Sequence, residues 1–293
     1  MIPVLHIEQF EKAVNLTEVY ANDLAVHLRR NKELVYTAHK HDFYLCVFFS
    51  KGTGVHEIDF NSFPIYPGSV FFLKPGQTHL WKFIERPEGL IFFHTKEFFE
   101  LGFTHIKIEQ FPFFSWNGNP PHLHLQKEEM PCMESSFKNI YEEYLENRSL
   151  KEQKIRSLIH LLYVDLSRLY TSRADHQLIE SNTYLATLQK LNETIQENFK
   201  QQKSVSFYAD QLHITPKHLN RITAATLGKT PSNLINERLL LEAKRQLVHS
   251  NATLSAIATD LGFDDNSYFS KVFVRRVGVT PSAFRKAYKN LLK

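Results

Sequence analysis

Three side chains near residue 220 could recognise nucleic acid. The amide of Asn220 matches the hydrogen-bonding edge of adenine, and the guanidinium of Arg221 matches that of guanine. Lys217, three residues before Asn220, adds a cation. If this segment is a helix with Leu219 and Ile222 turned inward, the three polar side chains lie on the opposite face. The spacing is typical of a helix that reads base edges in the major groove of DNA.

Three histidines form a second candidate group. Imidazole is a usual ligand of zinc and non-haem iron, so His39, His41 and His79 could bind a metal. Imidazoles can also hydrogen-bond a small molecule, or be satisfied within a protein core. The residue types by themselves leave these three interpretations open.

The elements that would hold Asn220 and Arg221 occur twice. The pentapeptide at 228–232 recurs at 278–282 with only its second residue changed. The segments before the two copies match in spacing and suggest a short helix, a turn and a longer helix. This predicts helix-turn-helix motifs at about 204–227 and 254–277. The second segment is one residue longer, and we place the extra residue at Gly262 in the turn, where an insertion is tolerated best.

Capping signals predict the helix ends. Ser206 is expected to cap the first short helix, which runs to about Leu212. Thr215 and Pro216 fit the N-cap and first position of the longer helix, and Gly228 fits its left-handed stop. In the second copy the corresponding helices are predicted over Ser255–Leu261 and Asn266–Val277.

A helix between the two copies would set their separation. It is predicted to run from Pro231 to about Val248. Its inward face would hold Leu234, Ile235, Leu239, Ala243 and Leu247. Such a helix is roughly 27 Å long, and successive major grooves on one face of DNA recur every ~34 Å. One chain could therefore place two reading helices in adjacent grooves.

These residues resemble the DNA-binding domain of the AraC/XylS family of bacterial transcription regulators, over about residues 184–293. The resemblance is carried by Arg238, Ala243, Ala258, Leu261-Gly262-Phe263, Ser267-Tyr268-Phe269, Phe273, Gly278, Thr280-Pro281-Ser282 and Phe284-Arg285. Charge agrees with a nucleic-acid partner. From Tyr184 onward there are sixteen Lys and Arg against eight Asp and Glu, and before it nineteen against twenty-three, so +8 and −4 make the total of +4.

The resemblance implies DNA contacts residue by residue. Base contacts are expected from Lys217, Asn220 and Arg221 in the first unit and from Asn266, Ser267 and Lys271 in the second. Phosphate contacts are expected from His218, Lys229, Arg275 and Arg276. For the last three, a helix C-terminal charge favoured by the helix dipole is the structural alternative. Family members often carry stronger binding side chains where Ser267 and Lys271 stand, so we expect the first unit to carry more of the base specificity.

Residues before 170 have a different character. Short apolar runs broken by Gly and Pro predict antiparallel strands in a small barrel. These runs are Phe43–Phe49, Gly54–Phe60, Ser69–Leu73, Leu80–Ile84 and Leu90–His94. Together with His39-Lys40-His41, Pro67-Gly68 and residues 75–79, they resemble the cupin-like effector domain of AraC-family proteins. The fold class is therefore α+β, with a barrel domain, its flanking helices and an all-α domain of two helix-turn-helix motifs joined by a long helix.

The resemblance also implies a small-molecule effector in the barrel. Metal-binding cupins generally add a glutamate after the paired histidines, but Tyr44, Leu45 and Cys46 stand there, so no metal or other cofactor is predicted. The expected effector contacts are His39, His41, Tyr44, His79, Trp81 and Phe93. For the aromatic residues among them, a place in the core is the structural alternative.

Two amphipathic helices follow within 135–170, with apolar residues at helical spacing. In the family such helices form the dimer surface; packing on their own barrel is the alternative, and both can hold. The predicted domains are 1–170, a linker at 171–183, and 184–293. The expected partners are promoter DNA, a small molecule and a second copy of the chain, and RNA polymerase is left open as a further partner.

Composition sets outer limits on function. The 293 residues and 43% hydrophobic content suffice for two cores. Two cysteines, Cys46 and Cys132, imply no disulfide framework, and no signal or membrane-spanning run is recognisable, so a cytoplasmic location is expected. We predict a ligand-controlled transcription regulator that acts as an activator and is not an enzyme. The alternatives are a cupin-type metalloenzyme fused to a DNA-binding domain, and a regulator whose barrel is only a dimer scaffold.

Overall fold

The computed structural model describes residues 3–10, 18–32, 36–103, 106–115, 119–173 and 182–291. The chain divides into two compact domains, a first of residues 2–174 and a second of residues 175–293, and each is described by itself. The predicted linker falls at this division. Its first residues end one helix and residues 182–183 begin the next, while 174–181 lie outside the described residues.

The first domain is built mainly of β-strands. Within the described residues they are β1 (Val4–Leu5), β2 (Val19–Asp23), β3 (Lys40–His41), β4 (Tyr44–Lys51), β5 (Gly54–Ile58), β6 (Asn61–Ile65), β7 (Ser69–Leu73), β8 (His79–Phe83), β9 (Glu88–His94) and β10 (His122–His124). An antiparallel sheet has the order β10-β7-β4-β9-β2, a second has the order β6-β5-β8, and β1 pairs with β3 in parallel. The antiparallel, cupin-like sheet domain is confirmed.

Each predicted strand run corresponds to an observed strand. Strand β6 was not predicted, because Pro64 interrupts its pattern. A proline is tolerated there because β6 lies at the edge of its sheet, where one side of the strand makes no ladder hydrogen bonds.

Helices cover one face of the five-stranded sheet. The described helices of the first domain are α1 (Leu24–Arg30), α2 (Lys96–Glu100), α3 (Pro112–Ser115), α4 (Met130–Leu145) and α5 (Lys151–Arg173), with short 3-10 helices at Ile7–Gln9 and Ile108–Gln110. Phe137 of α4 and Leu162 of α5 are buried in one cluster with Phe48 and Phe92 of the sheet. The two amphipathic helices therefore pack on their own sheet, as one of the two interpretations expected.

The second domain is all helical in its described residues. Its described helices are α6 (Asn182–Asn198), α7 (Val205–Gln211), α8 (Pro216–Leu227), α9 (Pro231–His249), α10 (Leu254–Asp260), α11 (Asn266–Val277) and α12 (Pro281–Leu291). Both predicted helix-turn-helix motifs are present, as α7–α8 and α10–α11. All five predicted inward residues of α9 are buried, to 1% exposure or less. Among the described helices none is long and apolar enough to cross a membrane.

Some helix starts differ from the prediction. Helix α7 begins at Val205, so Ser206 lies inside the helix and does not cap it. Helix α10 begins one residue before Ser255 because Thr253 is its N-cap, where the Thr253 hydroxyl accepts from the backbone N–H of Ala256. The starts of α8 and α11 are as predicted.

The two turns contradict the predicted place of the extra residue. His213 and Gly262 both have positive φ, 55° and 67°. The next residue in each copy, Ile214 or Phe263, donates its backbone N–H to the equivalent alanine carbonyl, at 3.0 and 2.9 Å. Gly262 is therefore the counterpart of His213. The additional residue is Asp264, between this turn and the N-cap of α11.

Candidate nucleic-acid interface and barrel interior

Helix α8 presents a polar face at its N-terminal end. Its apolar face is anchored by Leu219 and Ile222, which are buried at 0% and 1% exposure. Lys217, Asn220 and Arg221 are exposed. The structure thus brings the three predicted base-contacting side chains of the first unit together on one face of α8.

The start of α8 is held by its cap. Thr215 Oγ1 accepts a hydrogen bond from the backbone N–H of His218 at 3.1 Å. Pro216 occupies the first position, and Gly228 ends the helix in a left-handed conformation with φ 61°. These contacts fix the first turn of α8, which carries Lys217.

Helix α11 has the same design with a different cap. Phe269 and Phe273 are buried, whereas Asn266, Ser267 and Lys271 are exposed. The Asp265 carboxylate accepts from the backbone N–H groups of Ser267 and Tyr268, at 2.9 and 3.2 Å. The first of these hydrogen bonds lowers the pKa of Asp265. Tyr268, 60% exposed beside Ser267, is an additional candidate contact that sequence reasoning did not single out.

The predicted phosphate contacts divide into two kinds. Lys229 forms an ion pair with Glu237 at 2.9 Å, and both terminal nitrogens of Arg276 donate to Asn233 Oδ1 at 3.3 Å. Glu237 and Asn233 both lie on α9, so Lys229 and Arg276 attach the ends of the recognition helices to that helix. His218 is half-buried and Arg275 is exposed.

Helix α9 supports both helix-turn-helix units. It contacts α8 of the first unit and α10 and α12 of the second. Its nineteen residues span about 28 Å. Arg238 of α9 donates to Gln196 Oε1 at 2.7 Å and lies 4.0 Å from the ring centroid of Phe199, which anchors α9 to the region around α6.

The barrel interior collects most of the predicted effector residues. The rings of His39 and His79 are 4.2 Å apart, those of His41 and His79 are 5.2 Å apart, and Trp81 lies 5.0 Å from His79. Phe93 stacks on Phe43, which in turn stacks on His41. The predicted histidines, Trp81 and Phe93 thus form one buried group, which we call the barrel cluster.

Tyr44 does not belong to the barrel cluster. Its side chain lies on the opposite face of β4, where it stacks on His94 at 5.6 Å and packs against Phe114. All of β4 from Tyr44 to Phe49 is buried, so its sequence shows no polar alternation. The prediction placed Tyr44 on the wrong face for this reason.

His56 belongs to the barrel cluster and was missed. Its Nε2 lies 3.0 Å from Nδ1 of His79, so one ring donates to the other. His56 occurs on β5 in the alternating run Gly54–Ile58, and that alternation was the signal that could have placed it inward.

Polar atoms of the barrel cluster are buried without protein partners. They are His41 Nε2, His56 Nδ1, His79 Nε2 and Trp81 Nε1. Burial lowers the pKa of His41 to about 3 and holds the pKa of His56 and His79 well below the ordinary range, so all three imidazoles are neutral. Among the described side chains, no three His, Cys, Asp or Glu residues are placed to hold a metal ion.

Two family models match the chain. One, described as a helix-turn-helix domain, matches residues 208–287, and the other, an AraC-like ligand binding domain, matches residues 22–88. The HTH-type transcriptional regulator YfiF of Bacillus subtilis (strain 168) is 26% identical over 257 residues, which are 86% of this chain and 79% of YfiF. The HTH-type transcriptional activator RhaS of Pectobacterium carotovorum subsp. carotovorum (strain PC1) is 25% identical over 261 residues, 87% of this chain and 90% of RhaS.

A similar solved structure is that of unsaturated fatty acid bound ToxT from Vibrio cholerae strain SCE256. It is 15% identical, covers 93% of this chain and 96% of ToxT, and has a TM-score of 0.42.

Proposed function

The chain belongs to the AraC/XylS family of transcription regulators, and we propose that its two helix-turn-helix units bind adjacent major grooves of promoter DNA under the control of a small molecule in the barrel. Both domain models match, and the relatives align with most of the chain. These relatives are regulators and not enzymes, so the metalloenzyme alternative is set aside.

One observation carries the proposal for DNA. Helices α8 and α11 each bury an apolar face and expose a polar one, and α9 contacts both units. Two reading helices in adjacent grooves require a firm support between them, because the grooves repeat at about 34–36 Å. The length of α9 suits that role.

The proposed roles follow from side-chain chemistry. Arg221 would donate twice to guanine, Asn220 would pair with adenine, and Lys217 would contact a neighbouring acceptor. In the second unit Asn266, Ser267 and Lys271 would make fewer specific contacts. His218 and Arg275 would bind phosphates. Lys229 and Arg276 are assigned to phosphate less directly, because α9 already engages both of them.

The effector is proposed to contact the barrel cluster. A buried polar atom without a partner is costly, so the four unpartnered nitrogens favour a guest that hydrogen-bonds them. His41 Nδ1 lies 2.7 Å from the carbonyl oxygen of Phe43 and must donate to it, which leaves Nε2 as an acceptor. Trp81 Nε1 can only donate. A guest must therefore both donate and accept.

This requirement narrows the class of effector. A hydroxyl group donates and accepts, whereas a carboxylate or phosphate only accepts and would leave His41 unsatisfied. Neutral imidazoles also offer an anion no opposite charge. We therefore propose a neutral, hydroxyl-bearing small molecule, such as a sugar.

The chain is proposed to act as a homodimer through the helices within 135–170. Helix α5 buries one face in its own domain and leaves Leu161 59% exposed. Leu150, the residue before α5, has a positive φ and is 70% exposed. Two exposed leucines, one on α5 and one at its start, suit contact with a second copy of the chain.

Activation of transcription is proposed from the relatives, since RhaS is named as a transcriptional activator. RNA polymerase would then be a partner at the promoter. A cytoplasmic location is proposed on the same basis, as the place where a regulator meets promoter DNA.

The test of DNA reading begins with the full-length chain and a library of random duplexes. We expect it to enrich a sequence that spans two adjacent grooves, and footprinting should show protection on one face of the DNA. Failure to enrich any sequence would contradict the proposed function.

The effector proposal is tested by thermal shift with neutral sugars, aromatic acids and fatty acids. Neutral sugars are expected to stabilise the barrel domain, and Trp81→Phe, which keeps an aromatic ring at the site but removes the N–H donor, should weaken that shift. Leu101→Ala, at an exposed site away from the barrel cluster, is the control. Stabilisation by acids alone would contradict the proposed class, and no stabilisation by any compound would favour the scaffold alternative.

A further inference from the structure

The segment before the first helix-turn-helix unit contacts the turn of the second. Residues 199–204 join α6 to α7, and Lys203 is half-buried within them. Its Nζ donates to the carbonyl oxygen of Gly262, in the turn between α10 and α11, and to that of Lys200 at 3.3 Å. The same Nζ lies 4.6 Å from the ring centroid of Phe263. One side chain therefore joins two segments almost sixty residues apart.

The backbones also approach closely at this point. A Cβ atom at Gly262 would overlap the carbonyl oxygen of Lys200 and lie 3.0 Å from Nζ of Lys203. Glycine is therefore needed at this position for two reasons, its positive φ and the absence of space. In the first unit the equivalent residue, His213, has a side chain exposed to solvent.

An ion pair adds a second contact beside the first. Lys200 Nζ lies 2.8 Å from Asp260 Oδ2, and Gln246 of α9 donates to the same oxygen at 2.6 Å. Both contacts lower the pKa of Asp260, so this carboxylate is ionised at neutral pH. We call the contacts of Lys200 and Lys203 with Asp260, Gly262 and Phe263 the interlock.

The interlock is a second connection between the two helix-turn-helix units. Helix α9 is the continuous connection, and one helix can bend along its length. A second connection removes much of that freedom, because each unit is then held at two places. Ordering two loosely joined units on DNA would lower the affinity by the free energy that the ordering costs.

We propose that Lys203 is a positioning residue for DNA reading, which holds the second helix-turn-helix unit at a fixed separation from the first. The inference rests on the proposed binding to adjacent grooves. It assigns Lys203 to contacts within the DNA-binding domain and not to a phosphate, since its ammonium already contacts two carbonyl oxygens and a ring.

The experiment uses the duplex that the full-length wild-type chain enriches from a random library. One or two base pairs are inserted between the two segments that footprinting shows to be protected. Each inserted base pair turns the second segment about 35° around the DNA axis. Affinity and its salt dependence are measured for wild type, Lys203→Met and Lys203→Arg. Lys190→Met, which removes an exposed charge from α6, is the control.

Wild type should bind the original duplex best and lose affinity with each insertion. Lys203→Met should bind the original duplex about tenfold more weakly, discriminate less between spacings and keep the wild-type salt slope. Lys203→Arg should restore part of the spacing preference, and Lys190→Met should behave as wild type. Asp260→Asn, at a half-exposed site, should shift the spacing preference in the same direction by less, and it covers the case in which Lys203→Met does not fold.

Two results would overturn the inference. One is an unchanged spacing preference in folded Lys203→Met and in Asp260→Asn. The other is an equal loss on every duplex with a salt slope reduced by about one, which would identify Lys203 as a phosphate contact. A wild-type chain that enriches no duplex would instead contradict the proposed function itself.

Discussion

In the first helix-turn-helix unit the left-handed residue of the turn is His213, whereas in the second unit it is Gly262. The turns are otherwise alike, since the next residue in each donates to the carbonyl of Ala209 or Ala258. His213 is exposed, so its side chain has room. At Gly262 the carbonyl of Lys200 occupies the space that a Cβ would need. The same backbone turn is exposed to solvent in the first copy and packs against the segment at Lys200 in the second.

The difference shows how two copies of a motif can divide their work. The first unit carries Asn220 and Arg221 on its exposed face, and its turn contacts solvent. The second unit carries the shorter Ser267 at its corresponding face, and its turn receives the Lys203 ammonium. We therefore expect the first copy to supply more of the base specificity and the second to supply more of the position and general hold on DNA.

The largest expected effect is that of Gly262→Ala. The new methyl group would meet the Lys200 carbonyl in a backbone conformation that alanine adopts at a cost, so we expect a loss of about 2–3 kcal/mol in the free energy of unfolding of the second unit. Urea unfolding of the full-length chain measures it.

The matched variant in the first unit is His213→Ala. Histidine and alanine both carry a Cβ atom, and the side chain at this position is exposed. The free energy of unfolding should therefore change by less than about 0.5 kcal/mol. Equal losses in the two variants would show that the turns are not different in the way described.

The next effect concerns base reading. Arg221→Ala should lower DNA affinity by about 1–3 kcal/mol and relax the preference at one base position, because a two-pronged contact to guanine is lost. Lys271→Ala should lower affinity for all sequences by a smaller amount and leave the preferred sequence unchanged.

Selection from random duplexes with each variant measures both the affinity and the preferred sequence. An unchanged preference in Arg221→Ala would remove its assignment. A changed preference in Lys271→Ala would show that the second unit reads bases as strongly as the first.

The smallest effects concern the helix caps. Thr215→Ala removes the acceptor for the His218 N–H and should cost about 1 kcal/mol of unfolding free energy at any pH. In α11 the cap is the ionised Asp265, whose pKa is lowered by the Ser267 N–H. Its contribution is present above the unfolded pKa and is lost as pH falls through the folded pKa.

Hydrogen exchange of the first-turn amides of α8 and α11, followed as the pH is lowered below about 4, tests this difference after correction for the intrinsic exchange rate. Protection in α11 should fall with pH in the wild type, and protection in α8 should change less. Asp265→Asn keeps an oxygen acceptor and should remove the pH dependence in α11. A parallel loss in both helices would contradict the assignment.

Local structure in the DNA-binding domain followed from the sequence. Thr215-Pro216 and Gly228 gave the ends of α8, and the apolar stripe of α9 gave its buried face, because caps and helical periodicity are local properties. The extra residue was assigned to Gly262 and belongs to Asp264, because spacing alone shows that an insertion exists and not where the backbone accommodates it. The positive φ at His213 hid the correspondence, because a positive φ is uncommon for residues other than glycine.

In the barrel the strands could be predicted from the sequence, but the direction of every side chain could not. His39, His41, His79, Trp81 and Phe93 meet as expected, whereas Tyr44 turns to the helices and His56 joins the barrel cluster. A strand buried on both sides offers no polar alternation, so its register against its neighbours decides which side chains face inward.

The sequence by itself determined the duplicated helix-turn-helix, its exposed polar residues and the antiparallel character of the first domain, since these depend on caps, turns and periodicity within short segments. Only the tertiary structure decided that Lys203 reaches Gly262, that His56 lies beside His79 and that Tyr44 packs against Phe114 of α3. These outcomes depend on how distant segments pack, and no local pattern of residue types encodes that contact.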